Sequence, residues 1–366
     1  MNDIRGASLG FSGKVKSSSY KKYLVLTLFV LVLFFLFSGG FGLLGFLDKD
    51  SVKETDAFCG DRTMYNSCSS TQPYFCKSGK LITLPSVCGC PDGFDIKEEI
   101  CLSPYQTDAK RVYLNYTLRG ERHVISFIVY GGFEEYISEV PRSIYYASKS
   151  NSSRVDFTLK AINEEEQKKF LMPLVVKIQN LTNNKDDQMR IAISIVQNIP
   201  FGQSNKTIIF GNTELNYSRY PYEVLYEMEG ICGEKTDLLA FLLRELGYST
   251  SFFYYPDENH EALGIKCPIE ESLMRSEYCF IETTGPSIIT DNQISYVGVG
   301  KLLSRPEVYL INYGRSIGSN IEEYDDADRL INIRDSIEKT GLLGPMNKKM
   351  FEKIKVKYGL ADSYYG

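Results

Sequence analysis

Three residues of this 366-residue chain have the types and the order needed for covalent acyl transfer: Cys232, His260 and Glu282. A thiolate attacks a carbonyl carbon, an imidazole moves the proton, and a carboxylate fixes the orientation of the imidazole. With only two histidines in the chain, His123 and His260, there are few candidates for the base. His123 falls in an early strand pattern, whereas His260 lies between the cysteine and the carboxylate in chain order. Each residue alone invites a plainer reading. A lone cysteine on an inner helix face usually fills core space. A lone histidine at a strand entry is an ordinary polar residue, and a lone glutamate is a solvated edge carboxylate. Only the ordered trio, carried on suitable elements, points to chemistry.

Those residues need a helix and two strands to hold them. Gly230 to Tyr248 reads GICGEKTDLLAFLLRELGY, with apolar residues at 238, 239, 242, 243 and 246 in helical spacing and Gly247 as the stop. Cys232 falls in the first turn, where unpaired N–H groups and the helix dipole favour a thiolate and suit a developing oxyanion. At about 100° per residue it shares a face with Leu239, towards the core. Glu234, Lys235 and Asp237 read as a solvated face of this helix. HEALGIKC, starting at His260, predicts a strand entered through the turn Pro256-Asp257-Glu258-Asn259; YCFIETT at 278–284 predicts the next, and SFFYYP at 251–256 reads as a core strand. Antiparallel pairing with His260 opposite Glu282 puts both side chains on one face. The same register sets Cys279 opposite Leu263, four residues from Cys267, so a disulfide between the two cysteines needs a bulge. That pairing stays open; with it formed, Cys232 is the odd thiol.

Gly-x-Cys opening a Leu-rich helix that ends LLRELGY, then His on a strand, then a carboxylate in the phrase IETT, resembles the transglutaminase-like superfamily in a membrane-anchored form of prokaryotic or archaeal type. Its members are related to papain-type cysteine peptidases. The charged turn NKDD leading into a helix that ends VQNIPF is similar as well, and the likeness spans roughly 160–300. The resemblance implies an α+β core in which a helix bearing Cys232 packs on an antiparallel sheet bearing His260 and Glu282. It also implies a cysteine hydrolase or acyltransferase acting on amide or isopeptide bonds; the sequence names no cofactor-binding or metal-ligating residue, and metal dependence is not readable from it. Two positions depart from the pattern: Glu282 stands where the family usually has Asp, and Glu261 follows His260 where an aromatic is usual. A non-catalytic surface binding protein on an inactive core of this kind is the alternative.

The remaining sequence supplies location and context. Residues 1–22 carry Arg5, Lys14, Lys16, Lys21 and Lys22 against Asp3, a net +4, which leaves −9 for the rest of a chain whose total is −5. That acidic remainder argues against a nucleic-acid partner. From Tyr23 to Leu47 no residue is charged, which predicts a transmembrane helix with the basic tail cytoplasmic and the main domain extracellular; a cleaved signal peptide is the competitor. A polar linker, 48–58, follows. Six of the nine cysteines lie between Cys59 and Cys101, the signature of a disulfide framework. The run Cys88-Gly89-Cys90-Pro91-Asp92-Gly93-Phe94 followed by Cys101 resembles the last half of an EGF-like unit; zinc ligation is the alternative. Five N-glycosylation sequons, at Asn115, Asn151, Asn180, Asn205 and Asn216, all follow the apolar stretch.

The organisation is thus a tail at 1–22, a span at 23–47, a cysteine-rich module at 59–101, a β-rich segment at 108–160, a transglutaminase-like domain at 161–300 and a helical extension at 301–366. In the β-rich segment RVYLNYTL, HVISFIVY and RVDFTLK read as strands; helices begin near Asn163 and near Lys185. The expected partners are a peptide or protein amide substrate in the cell envelope and the membrane itself. No phosphate loop, HExxH or calcium loop is present, and the lack of Cys-x-x-Cys speaks against disulfide exchange.

Overall fold

The computed structural model describes residues 58–144, 153–210, 213–293, 295–296 and 300–360. The predicted cytoplasmic tail and membrane span lie outside the described residues, among which no helix is long and apolar enough to cross a membrane. The fold is α+β. Its centre is a four-stranded antiparallel sheet in the order Tyr278–Ile281, His260–Lys266, Thr250–Tyr255, Glu307–Asn312.

Both faces of this sheet are covered. On one side Leu263, Ile265 and Ile281 pack with Leu238, Leu239, Leu242 and Leu243 of the Cys232–Glu245 helix in the main core. On the other, Phe253, Tyr255, Ala262 and Phe280 meet Leu330, Ile333, Phe351 and Ile354 from the two C-terminal helices, Glu322–Thr340 and Pro345–Tyr358. Burial on both faces explains why TSFFYY is nearly continuous in apolar and aromatic residues instead of alternating. The segment from 301 onwards is accordingly more than a helical extension: Glu307–Asn312 supplies an edge strand of the central sheet before the helices begin.

Within 108–160 the first two predicted strands form a long hairpin, Ala109–Leu118 with Glu121–Tyr130. The third prediction is corrected, because RVDFTLK lies in the helix Arg154–Ile162. Asp156 accepts a hydrogen bond from the Ser153 N–H at 2.9 Å, a helix-start contact that no strand would use. Val155, Thr158, Ala161 and Ile162 are the buried residues, a helical spacing.

The cysteine-rich module is closed by Cys59–Cys76, Cys68–Cys88 and Cys90–Cys101. It is seated on the helices Glu165–Leu181 and Lys185–Gln197. The Asn180 side chain pairs with the backbone of Leu81 in both directions, at 2.8 and 2.9 Å, and Lys185 and Gln188 both donate to the Gly60 carbonyl. Gly60 has to be glycine, since a Cβ there would lie 2.0 Å from the Gln179 carbonyl oxygen. One sequon, at Asn180, is thereby engaged in a structural contact.

Candidate active site

The Cys232–Glu245 helix starts from a loop held on two sides. Met228 takes a left-handed backbone angle, φ 57°, and Gly230 then bonds the segment after VQNI, its N–H to the Pro200 carbonyl and its carbonyl to the Gly202 N–H, each at 3.2 Å. Glu234 caps the first turn by accepting from the Ile231 N–H at 3.0 Å. It also accepts from the Arg219 N–H at 2.8 Å and from the Arg219 guanidinium at 3.0 Å. The solvated face expected at Glu234 and Lys235 is therefore corrected: their exposures are 2% and 0%. Asp237 alone of the three is partly exposed, and burial, with Glu261 nearby, raises its pKa. The helix is sheathed on nearly every side, so its wet face was never available. Cys232 is half-buried and is the one free cysteine among the described residues, the other eight being paired.

His260 and Glu282 are both buried, and His260 Nε2 lies 2.9 Å from Glu282 Oε2. The register differs from the expected one by two residues. Leu263 pairs with Ile281, which brings Glu282 level with Ala262, so the carboxylate reaches His260 diagonally along one face. The same shift sets Cys279 opposite Ile265 instead of Leu263, close enough for the Cys267–Cys279 disulfide at a Cα–Cα distance of 5.8 Å without a bulge.

Burial alone would lower the pKa of His260, but hydrogen bonds to Cys232 and to Glu282, with the carboxylate's charge, raise it above its ordinary value. Burial pushes Glu282 upward, and its bonds to His260 and Thr284 reverse this and hold it below the usual carboxylate range. Both shifts describe an imidazolium–carboxylate pair. With Nε2 engaged by Glu282, the nitrogen left for the thiol is Nδ1.

Several residues that complete the site were not picked out in the sequence. Glu282 Oε1 accepts from the Thr283 N–H at 3.0 Å and from the Thr284 N–H and hydroxyl, each at 2.7 Å. The Thr283 hydroxyl donates to the Cys232 carbonyl at 3.3 Å, and Gln197 Nε2 donates to the Glu282 carbonyl at 2.9 Å. The signal was in the phrases IETT and VQNIPF, whose polar residues are these donors. Glu261 replaces the aromatic expected after His260. Its carboxylate pairs with Arg154 and lies against Gly233, where a Cβ would come within 1.9 Å of it. His123 is remote in role, stacked on Tyr116 in the hairpin with a half-exposed side chain. Among the described residues no group of three or more His, Cys, Asp or Glu is arranged to hold a metal.

No protein-family model and no curated protein matches the chain. Among solved structures, Legionella pneumophila LapG aligns over 47% of this chain and 87% of its own, at 13% identity and a TM-score of 0.24. Its calcium-bound form aligns over 45% and 98%, at 15% identity and a TM-score of 0.22. At these scores the likeness carries no argument about the site, whose reading rests on its own side chains.

Proposed function

We propose that this chain is a membrane-anchored, extracytoplasmic cysteine acyl-transfer enzyme with Cys232 as nucleophile, His260 as base and Glu282 as the residue that orients the histidine. The observation that carries this reading is the buried His260–Glu282 pair beside a half-buried free thiol. A buried ion pair is costly to assemble, and as core filler an apolar pair would serve as well.

In the proposed reaction the Cys232 sulfur attacks the carbonyl carbon of an amide or isopeptide, and first-turn N–H groups stabilise the oxyanion. The imidazolium returns its proton to the nitrogen of the leaving amine as the C–N bond breaks, which leaves a thioester. Water, deprotonated by His260, then releases the acid and the thiolate. Hydrolysis is favoured over crosslinking because no feature among the described residues marks an amine acceptor site. The substrate is an envelope or surface protein, a proposal that rests on the basic tail, the uncharged stretch and the disulfides.

An activated peptide ester tests the acyl-transfer step without knowledge of the natural substrate. Intact-mass analysis is expected to show one hydroxylamine-sensitive acyl adduct on Cys232, absent from Cys232→Ala and strongly reduced in His260→Ala. Acylation at unchanged rate in His260→Ala would contradict the assignment and favour a binding protein built on an inactive core.

A further inference from the structure

Lys235 lies one turn after Cys232 on the same helix, and its side chain has no exposed surface. Its ammonium meets three backbone carbonyls: Ile199 at 2.6 Å, Thr284 at 3.0 Å and Gln197 at 3.5 Å. An ammonium has three N–H donors, so its hydrogen-bonding capacity is matched. The acceptors belong to two segments, the end of the Lys185–Gln197 helix with its following turn and the loop that leaves Glu282. Thr284 returns its N–H and hydroxyl to Glu282, Glu282 holds His260, and His260 bonds Cys232. The links form a closed circuit that begins and ends on one helix turn. Space for the lysine comes from Gly230, where a Cβ would lie 3.1 Å from Lys235 Cγ.

An apolar residue would fill this site without desolvating a charge, and burial indeed pulls Lys235 down to about 7, partly offset by Glu282. A lysine buried at that cost, with its amine bonded to three carbonyls, has a use beyond packing.

We propose that Lys235 is a positioning residue of the Cys232–His260–Glu282 site: by tying the helix that begins at Cys232 to the loop that carries Glu282, it sets the approach of the imidazole to the thiol. The proposal rests on the catalytic reading above, and its test separates the two. In the full-length, non-reduced chain the iodoacetamide rate at Cys232 is measured at about pH 6 and about pH 9, together with the unfolding temperature, for wild type and Lys235→Met. Wild type is expected to keep substantial reactivity at the lower pH. Lys235→Met is expected to lose about tenfold or more of the low-pH rate, while its high-pH rate stays within about twofold. A lower unfolding temperature with an unchanged ratio of the two rates would make Lys235 merely structural and overturn the positioning role, leaving the catalytic reading intact. Wild type without low-pH reactivity would overturn both. If Lys235→Met does not fold, Lys235→Leu, which likewise removes every donor to the three carbonyls, is held to the same criterion.

Discussion

Among single residues, the buried His260–Glu282 pair decides the chemistry open to Cys232. Glu282→Gln keeps the shape and one oxygen for the Thr283 and Thr284 donors but removes the charge. It is expected to slow acyl transfer by about 10² to 10⁴-fold and to cost roughly 3 kcal/mol of stability, since a buried imidazole loses its counter-charge. The pH dependence has a definite sign. The folded pKa of His260 lies above its ordinary 6.5, so its stabilising share is complete below that value and is lost as the pH rises through the folded pKa. The folded pKa of Glu282 lies below 4.5, so its share is present above that value and lost as the pH falls through the folded pKa. Thermal unfolding across pH should therefore show the largest gap between wild type and Glu282→Gln at about pH 4.5 to 6.5, narrowing on both sides. A gap independent of pH would mean that the two groups are not an ion pair.

At the scale of elements, the hairpin that carries both residues is stapled by Cys267–Cys279, which closes a loop of sequence separation 12. Replacing both cysteines with serine is expected to cost about 3 kcal/mol, by the loop-entropy relation, and to weaken the low-pH reactivity of Cys232 by loosening His260 against Glu282. Chemical denaturation and alkylation rates check the two effects; a stability loss with reactivity unchanged would confine the disulfide to a structural role. The same hairpin shows where sequence reasoning stops. The Cys232 helix and both strands were legible from apolar spacing and turn residues. Their register was not, because a slip of two residues leaves every side chain on its original face. The pattern that places His260 and Glu282 on one side is equally satisfied by either pairing. Lys235 and Glu234 depart from the expected wet face for a related reason. A 3.6-residue pattern assumes one wet face, and this helix is enclosed by the Arg219 network on one side and the Glu282 loop on another. RVDFTLK fits both periods over its short length, and the Ser153–Asp156 contact decides for helix.

At the scale of the whole molecule, Glu307–Asn312 adds the edge strand of the sheet and the two C-terminal helices cover its second face, so the site stands on a core drawn from most of the described chain. No local motif announces this, since it depends on contacts between residues far apart in sequence. The cysteine-rich module is likewise part of the body, fixed through Gly60, Leu81 and Asn180. The proposed topology predicts that protease added to intact cells digests the chain after residue 58 and spares the basic tail; protection of the entire chain would refute the extracytoplasmic placement. Whether Cys232 is a nucleophile primed by His260 is decided by alkylation of the native, non-reduced protein at about pH 6, followed by peptide mapping. Cys232 is expected to be the dominant modified cysteine, and His260→Ala is expected to remove this reactivity. Cys232 found in a disulfide, or alkylated equally fast in His260→Ala, would contradict that role.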